Sequence, residues 1–300
     1  MNIRDLKYLV ALCEHQHFGK AAESCFVSQP ALSMQIKKLE GVLGIKLLER
    51  TKKSVLLTEH GQVIAHHAQQ ILNQVKEMHE IANNYQDPYR GELKIGIFPT
   101  LAPYLLPLII PSLTKKFPNI SFYLLEEQTK QLIDKLKAGK IHAIFLSLPI
   151  TEKNFTAELL FDEEFLLTIH DQHPLATKKS IRQHDLLDKE LLLLDEGHCM
   201  RDHALAICQQ LQVDESKNFR ATSLETLRHM VAARVGMTLI PQLACYRNNQ
   251  ITYIPFAKPK PSRTIALVWR KSSIKQPLLQ EISDHIRQVM RKQNSVKVRG

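Results

Sequence analysis

The sequence predicts an α+β chain in two parts: a small helical head with a strand pair and one long helix, then two α/β subdomains. Three observations carry this. The first 50 residues hold three short stretches with apolar residues at helical spacing. A seam of apolar residues at alternating steps of four and three follows, to about residue 86. From Glu92 onward, apolar strands alternate with amphipathic helices.

In the head, residues 3–14 read as a helix with Leu6, Leu9, Val10 and Cys13 on one face. Phe18, Ala21, Ala22 and Cys25 mark a second short helix. A third opens at Ser28, an N-cap by type, with Pro30 in the first turn and Leu32, Ile36 and Leu39 as its apolar face. RTKKSVLLT (50–58) reads as a basic turn leading into a strand. Three short helices and a strand pair in this order predict a winged helix-turn-helix. In the long helix, Ile64, Ala68, Ile71, Val75, Met78 and Ala82 form an a/d seam, which predicts pairing with a second copy of the chain. The rival is a single amphipathic helix packed on its own domain. Gln86-Asp87-Pro88 ends the helix.

The remainder opens as a β-α-β-α-β run: ELKIGIF, a helix from Thr100 to Phe117, ISFYLL, a helix from Thr129 to Gly139, and IHAIFLSL. Such a run implies a parallel sheet with right-handed crossovers. FLLTI, ELLLLD, FRA, MTLIP, ITYIP and TIALVW follow as strands. Thr222-x-x-Glu225 reads as a capping box for a helix ending near Gly236. Pro277 to Arg291 is a closing helix, and the basic tail beyond it is expected to be mobile. About 200 residues of this kind fit two subdomains of the periplasmic-binding-protein type, the chain crossing between them near 162 and 264. The expected domains are 1–58 (head), 59–87 (pairing helix) and 88–300, with lobe I at 88–162 and 265–300 and lobe II at 163–264.

Composition agrees. The 300 residues are 44% hydrophobic and 23% charged, enough for buried cores. MNIRDLKYLV lacks the features of a signal peptide, and no long apolar run is free of polar interruption, so a cytoplasmic protein is expected. Cytosolic thiols stay reduced, and five cysteines are too few for a disulfide scaffold. The formal charge of +10 invites a nucleic-acid partner, but residues 258–300 alone carry +9. The compact stripe from Lys37 to Lys53, six basic against two acidic residues, bears more directly on DNA.

FGKAAESCFVSQPALSMQIKKLEGVLGIKLLER (18–50) is similar to the head of the LysR-type transcriptional regulators, and the spacing from AA through SQPALS and IKKLE to LLER is specific to that family. PTLAPYLLPLIIP, EEQTKQL, DEGHCMRDHALAIC and FRATSLETLRHMVAA extend the resemblance, within the family, to its peroxide-sensing activators over nearly the whole chain. Two places depart from it: Arg234, where relatives carry a small residue, and the last ten residues.

For DNA, Gln29, Ser33 and Gln35 are placed in the major groove, where glutamine can read adenine edges. Pro30 shapes the helix entry. Lys37, Lys38, Lys46, Arg50, Lys52 and Lys53 grip phosphates and set affinity. A dimer reads half-sites about 10 base pairs apart or at multiples of that. A tetramer on DNA, RNA polymerase as a partner and a thiol reductant are implied by the resemblance alone.

GHCMRDHALAIC (197–208) carries Cys199 and Cys208. On one continuous helix, nine residues would put them on opposite faces, about 13 Å apart. A disulfide needs alpha carbons within about 7 Å. Joining them therefore requires the segment to refold. Cys199 follows a strand and Gly197 at an expected helix start, near Arg201 and His198, a setting that lowers a thiol's pKa. Core filling is the ordinary reading of a cysteine and is expected for Cys13, Cys25 and Cys245. A zinc set of His198, Cys199, His203 and Cys208 fits no common spacing, so no metal and no cofactor are expected. His15, His17, His66 and His67 read as surface histidines.

The resemblance implies that hydrogen peroxide oxidises Cys199, that Cys208 resolves it to a reversible disulfide, and that Thr100 and Thr129 help hold the peroxide. Both threonines also stand at expected helix starts, where the plain role is an N-cap. The rivals are a LysR-type regulator answering a metabolite in the interlobe cleft, a thiol peroxidase and a periplasmic-type solute binder. The helix-turn-helix argues against the last two, so no enzymatic activity is expected.

Overall fold

A computed structural model describes residues 1–50, 55–84, 89–150, 152–186, 189–195, 214–293 and 296–299. The chain divides into two compact units, Met1–Gln86 and Asp87–Gly300.

In the first unit, α1 (Ile3–His15) begins with a reciprocal cap: Asn2 accepts from the Asp5 N–H, and the Asp5 carboxylate accepts from the Asn2 N–H. Helix α2 (Phe18–Ser24) is capped by His17, whose Nδ1 accepts from the Gly19 N–H at 3.0 Å, so this histidine is an N-cap as well as a surface residue. Ser28 caps α3 (Gln29–Leu43) as its type predicts, and Gly44 closes it at φ 70. Strands β1 (Leu48–Arg50) and β2 (Val55–Leu57) pair antiparallel to form the wing. The 26-residue α4 (Glu59–Asn84) follows. Leu6, Leu9, Leu12, Ala21, Leu32, Ile36 and Leu39 form the core, with Ala65 and Ala68 of α4. Gly61 lies where α4 meets the chain before the wing: a Cβ there would sit 2.1 Å from the Leu47 carbonyl oxygen.

The second unit starts with β3 (Gly91–Ile97), α5 (Ala102–Lys116), β4 (Ile120–Glu126), α6 (Thr129–Lys137) and β5 (Ala143–Ser147). β3 is parallel to both β4 and β5, as the alternating pattern predicts. β6 (Phe155–His170) is a single 16-residue strand, of which FLLTI is only the second half. Its first half pairs with β11 (Ser262–Arg270), which in turn pairs with β5. Its second half pairs with β9 (Thr238–Pro241) and β10 (Ile251–Pro255). β7 (Glu190–Leu194) and β8 (Asp214–Ala221) form a parallel pair joined to β9 by a bridge from Leu191 to Met237.

Two apolar clusters result. One gathers β3, β5 and β11 with α5, α6 and α8 (Gln276–Met290) around Trp269 and Phe145. The other gathers β7, β9 and β10 with α7 (Leu224–Ala232) around Leu193, Leu227 and Ile240. β6 runs through both. This is the two-part α+β architecture the sequence predicts.

Local details differ. Ser223, not Thr222, caps α7, because its hydroxyl is the one that accepts from the Thr226 N–H. The helix stops at Ala232, four residues before Gly236, and Arg234 takes the left-handed conformation at φ 64. Its guanidinium donates to His170 Nε2 and Gln172 Oε1. The tail is not simply mobile: β12 (Lys297–Val298) pairs with β6 at Phe161 and Asp162, and Arg299 reaches the Asp162 carboxylate at 2.7 Å.

Candidate functional site

Thr100 and Thr129 both follow the carboxyl ends of parallel strands, β3 and β4. That edge of a parallel sheet is where open α/β folds take ligands, because strand ends and helix starts converge there. In the sequence, residues 196–213 come after β7, which pairs with β8 in a separate sheet. Cys199, Cys208, His198 and Arg201 lie in that segment, outside the described residues.

The N-cap reading of the threonines fails on geometry. The cap position of α5 is Leu101, without a side-chain bond, and that of α6 is Gln128, also without one. Thr100 is buried, and its Oγ1 accepts from Arg263 Nη1 at 3.0 Å while its carbonyl accepts from Nη2 at 3.1 Å. The Thr129 Oγ1 is buried and has no hydrogen-bond partner among the described residues. A buried hydroxyl in that state is unfavourable by about 1–3 kcal/mol unless something fills the bond.

Arg263 was not legible as a site residue. It stands just before the expected strand TIALVW, at the end of the polar stretch KPKPSR, where nothing hinted at a buried environment. Its guanidinium lies between Phe98 and Phe165, and its Nε and Nη2 both reach Glu163 Oε2 at 2.7 Å. The other Glu163 oxygen accepts from the Leu243 N–H at 2.9 Å. Arg263 and Glu163 sit on β11 and β6 beside the Asp162–Thr264 pair. The fixed cation therefore stands where the two clusters meet, one hydrogen bond from Thr100.

On the α7 side, Glu225 accepts from Tyr104 Oη of α5 at 2.9 Å and from Tyr246 Oη at 3.1 Å. Burial and the neighbouring carboxylate push the Tyr104 hydroxyl well above the usual phenol range. Arg228 lies over the Tyr246 ring and donates to the Ala244 carbonyl. Cys245 is half-buried, donates to the Pro241 carbonyl, and is pushed up to about 12 by burial, which makes it an inert thiol.

In the head, Gln29, Pro30, Lys37 and Lys38 are exposed on α3, and Ser33 is partly so. One of the two Gln35 amide N–H groups is taken: Nε2 donates to Asp5 Oδ1 at 2.6 Å, leaving the second N–H and Oε1. Lys46 is 3.4 Å from Glu40, whose other oxygen accepts from the Leu47 and Leu48 N–H groups and so shapes the entry to the wing. Lys52 and Lys53 lie outside the described residues, as does the side chain of Arg50.

The α4 seam divides in two. Ala68 is buried in the unit's own core, with Ile64 packed against it. Ile71 and Met78 are exposed and Val75 partly so, so the later half of the seam is outside the unit's own core. The side chain of Ala82 lies outside the described residues.

The model of the bacterial regulatory helix-turn-helix protein, lysR family, matches residues 3–62, and that of the LysR substrate binding domain matches residues 86–291. The chain belongs to the LysR family. Among LysR-family relatives, it is 47% identical to a hydrogen peroxide-inducible genes activator of Pectobacterium carotovorum, over 97% of each chain. It is similar to full-length OxyR C199D from Pseudomonas aeruginosa, at a TM-score of 0.78 and 40% identity over 96% of this chain and 95% of that one. It is also similar to the oxidized form of OxyR, at a TM-score of 0.63 and 43% identity, over 68% of this chain and 98% of that one. These LysR-family proteins share its DNA-binding head or its regulatory unit, and none of the described helices is long and apolar enough to cross a membrane.

Proposed function

We propose that this LysR-family protein is a peroxide-responsive transcriptional activator of the cytoplasm, not an enzyme, in which Cys199 and Cys208 form the redox pair. The observation that carries the reading is the site at the strand ends: the Thr100 hydroxyl anchored on buried Arg263, and the buried Thr129 hydroxyl beyond β4, without a hydrogen-bond partner among the described residues. The segment that carries both cysteines follows β7 of the neighbouring sheet in the sequence. The peroxide-inducible names of the relatives support it.

The Cys199 thiolate attacks one peroxide oxygen. The S–O bond forms, the O–O bond breaks, and the leaving hydroxide takes a proton to become water. The Cys208 thiol then displaces the sulfenic oxygen as a second water, leaving the disulfide. Peroxide is reduced by two electrons and the two thiols are oxidised by two. A dithiol reductant returns the disulfide to the two thiols by exchange and is itself oxidised to a disulfide. The two hydroxyls orient peroxide and accept or donate its hydrogen bonds. His198 and Arg201 hold the thiolate charge.

Oxidation rebuilds the segment between β7 and β8 and re-spaces the heads of a dimer, or a tetramer, on its DNA half-sites. Ile71, Val75 and Met78 form the pairing seam of α4. Gln29, Pro30 and Ser33 face the groove, and Lys37, Lys38, Arg50, Lys52 and Lys53 the phosphates.

The test is peptide mass mapping after one equivalent of peroxide, with DNA footprints of the reduced and oxidised protein. A Cys199–Cys208 crosslink is expected, with a changed footprint that Cys199→Ser abolishes. A Cys199→Ser protein that still responds refutes the site, and a footprint moved by a metabolite and indifferent to peroxide supports the metabolite reading instead.

A further inference from the structure

The buried residues of α3 are Leu32, Ile36, Leu39 and Glu40. The opposite stripe, at steps of four, three and four, is Pro30, Met34, Lys37 and Gly41, all exposed. Its first half is apolar and its second half cationic. Met34 is 69% exposed and takes no part in the core of the head. Among the described residues of this unit, no core packing accounts for a long apolar side chain there.

The polar alternative on this helix is also reduced, because Asp5 holds one of the two amide N–H groups of Gln35 and ties down its side chain. Apolar contact therefore gains weight over hydrogen bonding in what this helix offers to DNA. The major groove contains one apolar group that distinguishes a base, the C5-methyl of thymine. A thioether side chain, unbranched and polarisable, adapts its shape to such a group. Lys37, one turn further along the stripe, and Lys38 beside it fit the flanking phosphates.

We propose that Met34, with Pro30 beside it, reads thymine methyl groups in the major groove and is a specificity-determining residue of the head. The inference concerns DNA selection alone and needs no redox step, so it stands or falls separately from the peroxide reading.

The test uses the full-length reduced protein and a duplex obtained by selection from random DNA. Each thymine of a half-site is replaced in turn by uracil, which removes only the methyl. At one or two positions uracil is expected to weaken the native protein about fourfold, the discrimination of one buried methyl. Met34→Ala is expected to bind the thymine and uracil duplexes equally there, while Met34→Leu keeps the preference. Thermal melting of the variants guards against misfolding, which an exposed position is not expected to cause. A Met34→Ala protein that keeps the native thymine preference at every position overturns the proposal. So does a native protein that ignores the methyl at all of them.

Discussion

Glu163 and Arg263 form an ion pair with both side chains fully out of contact with solvent. Burying two charges is compensated only by good geometry and further hydrogen bonds. Here Thr100, the Leu243 N–H and two aromatic faces supply them. Removing one partner strands the other. Glu163→Ala is expected to destabilise the regulatory unit by about 3–5 kcal/mol. Urea unfolding of the full chain, followed through Trp269 in that unit, checks this. A loss under 1 kcal/mol would contradict the burial argument.

Gln35 and Asp5 yield a prediction of a different kind. The Asp5 carboxylate caps α1 and also holds Gln35. Asp5→Ala is expected to cost the head about 1–2 kcal/mol. Gln35→Ala is expected to lower stability by about 1 kcal/mol with little change in base preference. Melting of the full chain and binding to a panel of duplexes separate the two effects. A marked shift in base preference for Gln35→Ala would return this residue to the groove.

Arg234 occupies a left-handed position that glycine takes without steric cost. Its bonds to His170 and Gln172 are exposed and contribute little. Arg234→Gly is therefore expected to stabilise the regulatory unit by about 0.5–1 kcal/mol. A lower melting temperature would show that the His170 and Gln172 contacts outweigh the backbone strain.

Cys245 has a folded pKa of about 12, raised from the usual thiol value by burial. Its neutral form is the one the fold favours. The stabilisation is complete below the unfolded pKa of about 8.5 and is lost as pH rises from there towards the folded value. At pH 8, iodoacetamide is expected to modify exposed Cys13 well before Cys245, and Cys245→Ser is expected to leave the peroxide response unchanged. Mass mapping of the alkylated peptides reports both outcomes, and early labelling of Cys245 would contradict its burial.

Much of the fold was legible because each element carries a local signal. The helices α1 to α4, the Ser28 cap and the β-α-β-α-β run from Glu92 appear as the residues predict, although Cys13, expected in the core, is exposed and only the first half of the α4 seam is buried. The misses share a cause: a tertiary partner outbids a local preference. Thr100 and Thr129 have the side chains of helix caps, yet neither caps: Arg263 holds the first, and the second lies inside α6, whose cap position is Gln128. Glu163 and Arg263 pair 100 residues apart, a distance at which no periodicity speaks. Gln35 sits three residues from the inner-face Leu32, close enough to that face to reach Asp5 on α1.

β6 passes through both apolar clusters without a break and is zipped to β11 alongside the crossing, where the register slips between Ile265 and Ala266. Two paired ribbons cannot swing like a door without tearing their ladder. They can wring, as a twisted towel does, with the slipped register as the softest point. Relative movement of the lobes has to pass through this ribbon while its ladder stays paired. With Arg299 fastened to Asp162 on its free edge, cargo fused to the last residue would pull directly on that torsion axis.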